Sequence, residues 1–97
     1  MTQISDSPSI EKRVELVNSR GLHARASAKF VKTAENFNAT ISVEKDGISV
    51  CGTSIMGLML LAAARGDHVL LRASGDQAHE ALEALSELIA DRFQEAD

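Results

Sequence analysis

The sequence has no tryptophan and no tyrosine, and three phenylalanines make up its whole aromatic content of 3%. Its core must therefore be aliphatic, and single-stranded nucleic acid, which is held by stacking bases on aromatic rings, is a poor ligand for it. There is one cysteine, Cys51, so an internal disulfide is excluded and a reducing compartment is the simpler setting. Basic charge is not in excess. Ten Lys and Arg stand against 14 Asp and Glu, a formal net charge of −4 that gives no bulk attraction to phosphate backbones or anionic lipid. The longest run without a polar side chain, IMGLMLLAAA at 55–64, is about half of what a membrane-spanning helix needs. The start, MTQISDSPSI, lacks the basic residues and apolar run of a secretory signal. No glycine-rich nucleotide loop occurs, so ATP is not an expected ligand. The absences together describe a cytoplasmic protein with no cofactor, no nucleic-acid partner and no membrane insertion.

What is present fits one domain of 97 residues, 44% of them apolar. Residues 1–10 are polar around Pro8 and read as a flexible extension, leaving 11–97 as the folded unit. KRVELVN (12–18) alternates like a half-buried strand. From about Ala24 to Phe37, Ala26, Phe30, Val31, Ala34 and Phe37 recur at helical spacing. ATISVEKDGISVCG reads as a hairpin turning at Asp46-Gly47. Thr53 or Ser54 caps a short helix expected to end near Arg65-Gly66. HVLLRAS (68–74) is a further strand, and Asp76 is placed to cap a last helix with the stripe Ala78, Ala81, Leu82, Leu85, Leu88, Ile89. The order β-α-β-β-α-β-α implies an α+β fold, a mainly antiparallel sheet with helices on one face. The acids from Asp76 to Asp97, Glu95 among them, read as a solvated face.

SRGLHARASAKF (19–30) breaks the ordinary pattern. His23 falls at a helix start, with Arg20 and Arg25 on either side and Gly21 just before. The first N–H groups of a helix have no internal partner and, with the dipole, favour an anion such as phosphate. A neutral imidazole there is a nucleophile that can hold a phosphoryl group and pass it on. Arg25 would add charge-assisted hydrogen bonds, and Gly21 would let the backbone approach the incoming group. The plainer reading is a histidine that only caps the helix. A second feature is the helix after Ser54, apolar almost all round in a chain too small to cover it. Ile55, Met56 or Met59 should then be exposed, and a Met-rich patch suits partner docking. Burial of the helix is the alternative.

GLHARASAKFV (21–31), followed by TSIMGLM (53–59), resembles HPr, the histidine-containing phosphocarrier family of the bacterial phosphotransferase system. The resemblance covers roughly residues 11–93. It implies an open-faced β-sandwich, a four-stranded antiparallel sheet in order 1-4-2-3 with three helices on one face, in a monomer. It implies that His23 accepts phosphate on Nδ1 from the phosphorylated histidine of enzyme I and donates it to a IIA component, the chain being a carrier rather than a free-standing enzyme. Arg25 is assigned to the phosphoryl group, and Arg20, Lys29, Ile55, Met56 and Met59 to partner contact. Ser54 matches the serine modified by HPr kinase/phosphorylase in many members. One departure is Ala26, where the family motif has proline. The alternative function is a regulatory, nitrogen-type protein whose phosphorylation state controls partner binding without sugar transport. A ferredoxin-like ligand-binding module is a weaker option that leaves His23 unexplained. His68, His79 and Cys51 show no metal-ligand spacing, so no metal site is expected.

Overall fold

A computed structural model describes residues 9–95. Four strands, β1 (Ile10–Glu15), β2 (Thr40–Lys45), β3 (Ile48–Cys51) and β4 (His68–Ser74), form one antiparallel sheet in the order β1-β4-β2-β3. Three helices, α1 (Ala24–Ala34), α2 (Ile55–Leu60) and α3 (Ala78–Ala90), cover one face. The alternation that marks the strands is what fixes this layering. In β4, Val69, Leu71 and Ala73 are buried, and Ile41 and Val43 of β2 lie in register with Ala73 and Leu71. The helices return Ala26, Phe30, Val31, Ala34, Leu58, Ala81, Leu82, Leu85 and Ile89 to the same core. Each large aliphatic side chain so buried contributes about 1.5–3 kcal/mol. On the open face, Arg72 Nε donates to Glu11 Oε2 at 2.8 Å and its Nη1 to Glu44 Oε1 at 3.3 Å. These pairs tie three strands together in register, but solvent leaves an exposed pair worth at most about 1 kcal/mol.

β4 and the hairpin lie where the sequence places them, with Asp46 and Gly47 both at positive φ (53° and 82°), the two-residue turn that matches strand twist. Other boundaries differ. β1 begins at Ile10, paired with Ala73, so this residue of the expected extension belongs to the sheet; residues 1–8 are outside the described residues. It stops at Glu15, because Leu16 turns to the loop instead, donating to Asp67 O and accepting from Gly66 N–H. α1 ends at Ala34, where Asn36 and Phe37 bond back to Thr33 and Ala34 in tighter turns. α2 stops at Leu60 and not near Arg65, because Ala62 takes a left-handed φ of 52°. The released Ala63 carbonyl is the acceptor for Leu22 N–H at 2.9 Å. Asp76 does not cap α3. Its carboxylate accepts from Asn38 Nδ2, and Gln77 occupies the cap position without a side-chain bond to the helix.

Gly21 shows how this loop contact constrains the sequence. Its φ is +60°, and an added Cβ would overlap the Ala63 carbonyl oxygen. The glycine is needed to let two backbones meet. Gly47 also has positive φ, but nothing lies within 4 Å of a Cβ placed there. Gly47→Ala should therefore lose about 1–2 kcal/mol for the left-handed backbone alone, and Gly21→Ala clearly more. Urea unfolding of both variants checks this; equal losses would mean that the overlap at Gly21 relaxes freely.

Candidate functional site

His23 ends the loop from β1 and is the N-cap of α1, with extended backbone (φ −73°, ψ −179°). Its carbonyl accepts from Ser27 N–H at 2.9 Å, the first bond of the helix. Its imidazole Nδ1 accepts from Arg25 N–H at 3.3 Å. An accepting Nδ1 carries its lone pair, so the ring hydrogen is on Nε2. Nε2 lies 2.8 Å from Glu95 Oε2 and donates to it. The loop is held from behind by Leu22: its N–H reaches Ala63, and its carbonyl accepts from the buried Ser27 hydroxyl at 3.1 Å. The ring keeps about a fifth of its surface exposed. Arg25 and Arg20 are exposed, and among the described residues no side-chain ion pair holds either guanidinium.

Glu95 is the residue that sequence reasoning missed. It belongs not to a solvated acidic face but to a clasp that returns from the end of α3. Arg92, Phe93 and Gln94 form a single turn with left-handed φ of 56°, 55° and 63°. None is glycine, so each carries about 1–2 kcal/mol of backbone strain. Burial of Phe93, which is fully enclosed, offsets part of it. Lys29 Nζ donates to Phe93 O at 2.7 Å, so this expected partner-contact residue is engaged within the chain. Asn18, fully buried, donates through Nδ2 to Gly21 O at 2.9 Å and, at a longer 3.4 Å, to Glu95 Oε1. Its Oδ1 has no hydrogen-bond partner among the described residues. Asn18 thus joins the His23 loop to the clasp. The only available sequence signal was Phe93, an apolar residue in a polar tail.

Ser54 caps α2, its Oγ accepting from Gly57 N–H at 2.9 Å. Only Leu58 of that helix is buried; Ile55, Met56, Met59 and Leu60 are exposed, the last two residues of the set at 41% and 75%. α2 packs beside α1, so this apolar surface adjoins the helix that His23 opens. No group of three His, Cys, Asp or Glu among the described residues could hold a metal ion, and no helix among them is long and apolar enough to cross a membrane.

Residues 10–91 match the family described as the PTS HPr component phosphorylation site. The chain belongs to the HPr family. It is 44% identical over 88 residues to the phosphocarrier protein HPr of Neisseria meningitidis serogroup A, covering 91% of this chain and 99% of that one. It is also 44% identical over 77 residues to the HPr-like protein Crh of Bacillus subtilis, covering 79% and 91%. A crystal structure of HPr from Thermoanaerobacter tengcongensis superposes with a TM-score of 0.87 at 45% identity, covering 91% and 99%. Against the HPr motif, Ala26 replaces the proline of the first turn, yet α1 still starts at Ala24 and Ala26 is fully buried.

The strain in the clasp is measurable. Gln94 is exposed, so Gln94→Gly removes a left-handed penalty of about 1–2 kcal/mol and adds about 0.5–1 kcal/mol of unfolded-state entropy. A net gain of up to about 1.5 kcal/mol is expected in a denaturant melt, against no gain for Gln94→Ala; a loss in the glycine variant would show the turn to be unstrained.

Proposed function

We propose that this HPr-family chain is a phosphocarrier that accepts a phosphoryl group on His23 Nδ1 from the phosphorylated histidine of enzyme I and passes it to a IIA component. The observation that supports this is the Nδ1 lone pair directed at the open first turn of α1. Attack by Nδ1 on phosphorus forms one P–N bond as the donor's P–N bond breaks, the electron pair leaving with the donor imidazole. Arg25 N–H, now bonded to Nδ1, is released to a phosphoryl oxygen, and the exposed guanidinium of Arg25 supplies charge. Incubation with enzyme I and phosphoenolpyruvate, followed by mass spectrometry, should label the parent once, acid-labile, and leave His23→Ala unlabelled and folded. Arg25→Ala should transfer about ten- to a hundredfold more slowly, the loss of one charge-assisted contact in the transition state. Label on His23→Ala would reject the assignment. A chain that takes the group but keeps it in the presence of the IIA component would be the regulatory protein instead.

Docking is assigned to the exposed Ile55, Met56 and Met59, with Arg20 on the basic side and Lys29 adding charge there while its Nζ stays bonded to Phe93 O, and Ser54 to regulation by HPr kinase/phosphorylase. A phosphate on Ser54 adds about −1.5 to −2 charge beside the apolar patch, against a partner surface that must be acidic to meet the basic rim. Met56→Ala, at an exposed site, should weaken enzyme I binding by more than about 1 kcal/mol with an unchanged Tm. Ser54→Ala should lose about 0.5–2 kcal/mol of stability as a lost cap, and Ser54→Asp should keep its Tm but transfer slowly. Transfer at the parent rate in Ser54→Asp would leave Ser54 a cap and nothing more.

A further inference from the structure

The family match ends at residue 91, and the clasp lies beyond it. We infer that Glu95 is a positioning residue for phosphoryl transfer: its carboxylate holds His23 as the Nε2–H form and balances the charge that grows on the ring as Nδ1 bonds to phosphorus. The inference rests on the phosphocarrier reading and adds to it a residue and a role.

Three observations carry it. Glu95 Oε2 is 2.8 Å from Nε2 while Nδ1 accepts from Arg25 N–H, so the two contacts together leave one tautomer, with the nucleophilic lone pair on the atom at the helix end. The carboxylate keeps only 14% of its side-chain surface in solvent, which strengthens its action on the ring. A turn of three strained non-glycine residues, pinned by Phe93, Lys29 and Asn18, delivers it there. Strain held in place by so many contacts marks a position that the fold is built to fix.

The electron balance explains why a carboxylate is suited to the place. A neutral Nε2–H imidazole attacks; the Nδ1–P bond forms, the donor's P–N bond breaks, and its electron pair departs with the donor nitrogen. No proton moves, so the ring, now bonded to phosphorus at Nδ1 and hydrogen at Nε2, gains a positive charge shared with Nε2. Glu95 meets that charge directly, as a carboxylate does behind a catalytic imidazole. Without Glu95, the ring hydrogen is free to sit on Nδ1, which leaves Nε2 as the nucleophile.

The test uses the full chain, 15N-labelled, with phosphoramidate as the donor, whose P–N bond breaks to release ammonia; no partner protein is needed. The parent should show the Nε2–H tautomer of His23 by long-range 15N–1H correlation and label at Nδ1 alone. Glu95→Gln still offers an oxygen to Nε2–H but no charge; it should keep the tautomer and label about tenfold more slowly. Glu95→Ala should label up to about a hundredfold more slowly, show Nδ1–H in its tautomer mixture and yield some Nε2-phosphohistidine. Rates within twofold of the parent and an unchanged tautomer in Glu95→Ala would overturn the inference while parent labelling at His23 preserved the phosphocarrier reading. Equal labelling of the parent and His23→Ala would overturn both.

Discussion

The first turn of α1 presents backbone N–H groups that no carbonyl within the helix can reach. One side-chain atom, Nδ1 of His23, answers part of that need by accepting from Arg25 N–H. In the proposed transfer the same lone pair attacks phosphorus, so the capping and carrier readings of His23 fall on a single atom. The cap is long and exposed, which makes it inexpensive to give up. Under that proposal the oxygens of the phosphoryl group take the N–H groups over, and the helix end is satisfied in either state. The rest of the site follows from keeping that ring aimed: Leu22 bonded to Ala63 on one side, Glu95 on the other.

Holding the ring required the fold to bring together segments that local rules would have kept apart. LLAAAR is a good helical stretch, yet the chain leaves α2 at Leu61 and spends Ala63 O on Leu22 N–H. Gly21 sits where a side chain would block that meeting. These contacts lie at the rim of the core, where the loss of a few helical bonds is balanced by bonds of the same kind elsewhere.

Much of this was legible in the sequence. HVLLRAS, read as a strand, is β4 end to end, Asp46-Gly47 marked the hairpin, and the apolar stripe of α3 is its buried apolar set. His23 at a helix entrance and an apolar short helix could be read because each breaks a compositional habit. Ends were less legible: α1 closes in tighter local turns at Asn36 and Phe37, and α2 stops where Ala62 turns left-handed and Ala63 O meets Leu22 N–H, not where propensity runs out. Asp76 looked like a cap but bonds Asn38 instead. Glu95 was invisible for a plain reason: it is one acid among many. The left-handed turn that aims it contains Arg92, Phe93 and Gln94, without the glycine or asparagine that would announce such a backbone.

The His23–Glu95 contact joins residues 72 positions apart, near the two ends of the described chain. During synthesis, the histidine and its helix leave the ribosome long before the carboxylate exists. The imidazole is thus present early without its carboxylate partner, with either ring nitrogen open to carry the hydrogen. Only when the last turn winds behind Phe93 does the ring acquire its orientation. A chain cut short before Glu95 would still carry the imidazole and its helix but not the carboxylate that meets it.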